Sequence, residues 1–168
     1  MMLLFFGHDP GNSGSELTGA LAALAWNPNS KDRPRLISHL LYGRPDRRVF
    51  REWFGGLERE HKPTAVYLCS EALFLGRNVA TLKALQQSVD RAEGAADAVF
   101  EERLKTSELH PSTWHKVLLG DGALDHDTAL LFAKGRASAI IGSAVTNKDL
   151  AVAICLAEYA RVEAKWKS

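Results

Sequence analysis

Three acids stand where the chain could concentrate negative charge. Asp9 closes the apolar run Met1 to Phe6 and is followed at once by Pro10-Gly11. Glu71 follows a second apolar run, Thr64 to Ser70, and Asp149 opens the last long helical segment. An acid at a strand end has a rigid backbone behind it and solvent in front. If the two strands are parallel neighbours, Asp9 and Glu71 stand side by side at one sheet edge. Like charges held that close need a cation, or one must take a proton. A helix start packed on the same edge would add Asp149. Three carboxylates make an oxygen-rich site of the kind Mg²⁺ or Mn²⁺ prefers, and two ions can share a bridging carboxylate. That is the chemistry of metal-assisted phosphodiester hydrolysis. Two plainer readings stay open. Asp9 can bond its own loop in an Asx-type turn. Thr146-Asn147-Lys148-Asp149 fits a capping box in which Thr146 and Asp149 serve only the helix start.

The elements that must position these acids follow from pattern. Met1 to Phe6 reads as a buried strand ejected from its sheet by the Pro-Gly turn. The alanine-rich run Leu17 to Trp26 is open between helix and a second strand hairpinned to the first. Leu36 to Tyr42 is a third strand and Thr64 to Ser70 a fourth. Val49, Phe50, Trp53, Phe54 and Leu57 recur at helical spacing, which predicts an amphipathic helix over Asp46 to Glu60, ending near Gly55-Gly56. A long helix starts at Asn78 or Thr81, with Val79, Leu82, Leu85, Val89 and Ala92 on one face. Leu104 to Leu109 is a last short strand. Further helices are expected over Pro111 to Leu118, Asp125 to Lys134 and Asn147 to Lys165. Strands first and helices after, with one helix between strands, is an α/β fold with a mixed central sheet flanked by helices.

The totals bound the rest. The 168 residues suit one domain over 1–168, and 46% hydrophobic with 24% charged residues is ordinary soluble composition. The apolar N-terminus lacks a basic leader and reads as a strand rather than a signal peptide. No stretch is long enough to cross a bilayer. Cys69 and Cys155 form no metal motif, and a reducing cytoplasm is the simple expectation. A net charge of +1 neither demands nor excludes nucleic acid. Its distribution says more: Lys31, Arg33, Arg35, Arg44, Arg47, Arg48 and Arg51 crowd one stretch, either a phosphate-binding face or a solvated one.

The motifs bring a family into view. Asp9-Pro10-Gly11 after a strand resembles the opening of RuvC-type Holliday-junction resolvases of the ribonuclease H-like superfamily. Glu71-Ala72-Leu73-Phe74 and then Arg77-Asn78, running into a long helix, resemble that family's Glu, Phe three residues on, basic residue and Asn. Asp149-Leu150-Ala151-Val152-Ala153-Ile154 is similar to its Asp-Ala-Leu-Ala-Ile-Ala helix. Pro111-Ser112-Thr113-Trp114-His115-Lys116 before a Gly-rich turn looks like a segment of phage-type relatives. The resemblance runs along essentially the whole chain and implies roles. Asp9, Glu71 and Asp149 would hold two Mg²⁺ or Mn²⁺ ions, with Asp9 bridging. Phe74 would stack on a base near the crossover, or else sit in the core. Arg77 and Asn78 would contact DNA, and Lys116 would reach the scissile phosphate or remain a surface lysine. The implied partner is a four-way DNA junction, resolved by a homodimer in recombination and repair in a bacterial or phage-infected cytoplasm. One departure stands out: where the family places an acid or His three residues before the last Asp, this chain has Thr146.

Other residues carry weaker signals. His8 should point away from Asp9, since strand neighbours alternate. His39 and His61 read as structural. Asp125-His126-Asp127 mimics a metal cluster but suits a polar helix start. No phosphate loop ends in Lys-Ser or Lys-Thr, and no serine nucleophile elbow is present. Two alternatives to the resolvase remain: a related nuclease acting on structured RNA or hybrid, and a junction binder weakened at Thr146.

Overall fold

The structure, a computed structural model, describes residues 1–11, 19–72 and 79–164. The chain runs β1 (Leu3–Asp9), β2 (Gly19–Trp26), β3 (Arg35–Tyr42), α1 (Arg47–His61), β4 (Ala65–Glu71), α2 (Val79–Phe100), a 3₁₀ turn (Glu101–Arg103), β5 (Leu104–Leu109), α3 (Pro111–Leu119), α4 (His126–Ile141) and α5 (Lys148–Glu163). One five-stranded sheet has the order β3-β2-β1-β4-β5. β1 pairs antiparallel with β2 and parallel with β4, and β4 pairs parallel with β5. The mixed α/β architecture expected from the pattern is the one observed.

The described part of the alanine-rich run is strand β2, hydrogen-bonded on both sides by β1 and β3. Local propensity favours helix for alanine, and the sheet context overrides it. Alternation then sends Leu21, Ala23 and Ala25 to one face, and Ala20 and Ala22 to the other.

The two faces of the sheet differ in kind. Leu4, Phe6, Leu21 and Leu68 pack under α1 and α2 with Phe50, Phe54 and Phe100. Phe6 meets Phe54 edge-on with ring centroids 5.0 Å apart. On the other face lies α5, whose residues Ala151 to Glu158 are all buried. A helix buried all round needs cover on both sides. The sheet supplies one side, and Trp114 of α3 with Ala133 and Ala137 of α4 the other.

Two helices outrun their expected ends. α1 continues through Gly55-Gly56 to His61, because Phe50, Phe54 and Leu57 anchor one buried stripe across the glycines. Lys62 then ends it in a left-handed conformation, its N–H donating to the Glu58 carbonyl at 2.9 Å. α4 continues past Lys134 to Ile141, with Ala129, Ala133 and Ala137 buried. Cys69 and Cys155 are buried free thiols. Among the described residues no helix is long and apolar enough to cross a membrane.

Candidate active site

The parallel pairing of β1 with β4 sets His8 opposite Ser70, so the next residues, Asp9 and Glu71, stand side by side as the last residues of their strands. α5 reaches the same edge through a close approach at Gly7. A Cβ there would collide with the Ala153 carbonyl oxygen and stand 2.6 Å from the Ala157 nitrogen. Only a glycine lets the helix lie this near the strand. From that contact Asp9 lies two residues along the strand, ~6.6 Å. Asp149 lies one turn back along the helix, ~6 Å. The opposed directions of β1 and α5 therefore bring the two acids to one level.

Asp9, Glu71 and Asp149 line a single cavity of about 310 Å³, together with Lys148, Trp114, His115 and His126. Asp9 is the most enclosed of the three acids, at 7% exposure. Its Oδ1 accepts from the Gly11 N–H at 2.9 Å, and Gly11 has φ 82°. The Asx-type turn is real, and it leaves the carboxyl facing the cavity. Burial first, then the neighbouring charge of Glu71, push the Asp9 carboxyl well above the ordinary carboxylate range. Asp149 adds to this, while the Gly11 N–H and the Lys148 charge oppose it. Glu71 Oε1 accepts from the Trp114 indole Nε1 at 3.1 Å, and Trp114 is buried.

The donor set suits a hard divalent cation: three carboxylates, one of them destabilised as an anion by the other two. Among the described residues no three His, Cys, Asp or Glu side chains are drawn together into a ready-made cage. The acids share a cavity rather than a point. Asp9, Glu71 and Asp149 are the residues that would hold an ion there.

The start of α5 differs from the capping box expected at Thr146. The cap is Asn147, whose Oδ1 accepts from the Leu150 N–H at 2.8 Å. Thr146 is exposed one residue before the cap, and Asp149 is in the first turn. The cap shifts because an Asn at this position serves as well as a Thr. Asp149 is thereby not the capping partner that the box would have made it.

Lys116 is exposed on α3 and does not line the cavity. Helical geometry explains this. Trp114 and Leu118, four apart, share the inward face, and Lys116 lies about 200° round the helix from Trp114. Phe74, Arg77 and Asn78 lie outside the described residues. Arg44, Arg47, Arg48 and Arg51 are exposed where α1 begins. That is the acid-bearing end of the sheet, since β3 and β1 both run antiparallel to β2. Asp125 is a helix cap, as expected, accepting from the Thr128 N–H at 3.0 Å. His39 is exposed on β3. His8 faces away from Asp9, beside the Tyr42 and Phe50 rings. It is linked to Tyr42, whose hydroxyl is 2.8 Å from Ser88 Oγ. Burial pushes the His8 imidazole down to about 3. Sequence reasoning missed Lys148 and the Trp114–Glu71 bond. For Trp114 the signal was its shared face with Leu118; for Lys148 it was a cation beside Asp149 in a helix's first turn.

An antiparallel meander extended by two parallel strands, with helices on both faces and acids at one edge, is the ribonuclease H-like α/β fold. Within that class the chain is similar to the RuvC structure of Thermus thermophilus. The TM-score is 0.68 at 18% sequence identity, covering 96% of each chain. T. thermophilus RuvC in complex with a Holliday junction substrate gives 0.66 at 16% identity, covering 97% of each chain. No protein-family model and no curated protein sequence matches this chain.

Proposed function

We propose that this chain is a divalent-metal-dependent, structure-selective endonuclease that resolves four-way DNA junctions. The observation that carries the reading is the single cavity shared by Asp9, Glu71 and Asp149, in which burial and then the charges of the other two acids push the Asp9 carboxyl above its ordinary range. Near-full-length likeness in fold to a resolvase supports it. Divalent ions, when bound, supply water activation and charge stabilisation at a leaving oxygen. Asp9, Glu71 and Asp149 are the proposed ligands of two Mg²⁺ or Mn²⁺ ions. Trp114 holds one Glu71 oxygen in place, and the Asx turn at Gly11 orients Asp9. Lys116, Phe74, Arg77 and Asn78 are proposed DNA contacts. Residues 1–168 act as one nuclease domain. A homodimer would match the two-fold symmetry of a four-way junction and set one site on each of two strands.

The test is cleavage of a synthetic four-way junction with Mg²⁺ or Mn²⁺, read at nucleotide resolution beside linear duplex, RNA–DNA hybrid and structured RNA. Paired, symmetric nicks in the junction alone are expected, abolished by Asp9→Asn, Glu71→Gln or Asp149→Asn. Cutting of RNA or hybrid in preference would assign the site to a ribonuclease. Tight junction binding without cleavage at any metal concentration would make the chain a binder.

A further inference from the structure

Lys148 has no evident structural task. It occupies the first position of α5, where the positive end of the helix dipole disfavours a cation. Among the described residues it makes no ion pair. Its side chain is exposed and yet lines the cavity of the three acids. It is the only lysine or arginine among the described residues lining that cavity. Its charge is felt at Asp9, where it opposes the effect of Glu71 and Asp149. A residue that breaks a local rule without a local gain points to function.

The charge balance of the cavity says which function. A phosphodiester approaching three carboxylates is repelled, and divalent ions offset only part of that. A fixed ammonium beside the acids adds a cation that is present whether or not ions are bound, and an ammonium is a good point-charge donor to phosphate oxygens. We propose that Lys148 is a phosphate-binding residue of the active site, its Nζ donating to a non-bridging oxygen of the phosphodiester held against Asp9, Glu71 and Asp149. The assignment rests on the nuclease reading above and deepens it.

Such a lysine should act in opposite senses on the two species the cavity would bind. It attracts phosphate and repels divalent cations. In Lys148→Gln, inorganic phosphate should bind the Mn²⁺-loaded protein about ten- to a hundredfold more weakly, the scale of one charge-assisted hydrogen bond. ³¹P relaxation by the bound Mn²⁺ reads this. Mn²⁺ alone, followed by calorimetry on the free protein, should bind the same variant roughly two- to fivefold more tightly, as the like charge is removed. Lys148→Arg keeps the charge and should restore both values. Unchanged phosphate and Mn²⁺ affinities in Lys148→Gln would make Lys148 a surface lysine and overturn the assignment. So would a parallel loss of both, which reports damage to the helix start, or a wild-type Mn²⁺-loaded protein that does not bind phosphate. Neither measurement uses DNA. A failure of the resolvase reading would show separately, as a wild-type protein that leaves the synthetic junction uncut.

Discussion

The two faces of the sheet solve different problems with different residues. Under α1 and α2 the contacts are aromatic: Phe6, Phe50, Phe54 and Phe100 are fully buried, and Trp53 packs against them. Under α5 the contacts at the acid-bearing end are small: Gly7, Ala20, Ala22, Ala153 and Ala157 let helix and strands close up, and an aromatic group, Phe5 with Trp26 and Tyr67, packs only farther along, beside Ala157. Large rings remove much apolar area from water and stabilise the domain. Small residues bury less but fix a distance, and that distance sets Asp149 beside Asp9. Both faces supply stability, and the small residues around Gly7 supply placement as well.

Substitutions that separate stability from placement test this contrast. Phe6→Ala should have the largest effect on stability, about 3–5 kcal/mol. Denaturant unfolding would measure it, and the folded fraction should keep its Mn²⁺ affinity. Gly7→Val should cost at least the roughly 1–3 kcal/mol of ordinary overpacking, because its Cβ meets helix backbone, and should also weaken Mn²⁺ binding at least tenfold by pushing α5 away. If Gly7→Val loses stability but binds Mn²⁺ normally, the small-residue face does not place the site. Trp114→Phe keeps the ring in the core and removes the bond to Glu71. It should cost about 1–3 kcal/mol in Mn²⁺ binding, as expected for a hydrogen bond to a charged group, with a smaller change in unfolding midpoint.

The finest test concerns pH, because adjacent residues on opposite faces titrate in opposite senses. His8 has its folded value depressed to about 3 from an ordinary 6.5. Its unfolded state binds more protons between those values. Its contribution is therefore complete above pH 6.5 and lost as pH falls toward 3. Asp9 has its folded value raised. There the folded state binds more protons, so stability is lost as pH climbs from the ordinary carboxylate range through the raised value. In the metal-free protein, Asp9→Asn should flatten that alkaline loss and raise stability at neutral pH. His8→Gln should flatten the acid limb instead. Urea midpoints from pH 4 to 8 would read both, and identical profiles for wild type and Asp9→Asn would show that Asp9 carries no such penalty.

What the sequence makes legible here is whatever depends on local order. Asp9, Glu71 and Asp149 stand out because each closes or opens an apolar element. The parallel pairing that joins the first two is a long-range choice, stated from the sequence only as a condition. The Leu17 to Trp26 run stays ambiguous because alanine suits a helix until two neighbouring strands claim its backbone. The glycines at 55 and 56 suggest a stop that the buried stripe of α1 overrides. Lys116 attracts notice by its motif while Lys148 escapes it, since which lysine reaches a cavity depends on the packing of α3, α4 and α5 together. Gly7 gives no sequence signal at all: its meaning is a distance to a carbonyl 146 residues away along the chain.

That contact makes the enclosed helix a gauge block. α5 is held from the sheet side at Gly7 and from the outer side by α3 and α4, so it cannot drift toward or away from β1 without breaking both. A slip of one helical turn would carry Asp149 ~5.4 Å along the axis, more than a divalent ion's coordination sphere tolerates. The spacing between the acids is therefore manufactured far from the acids themselves. Any change made at Asp149, Thr146 or Lys148 therefore inherits its geometric tolerance from residues 7, 153 and 157.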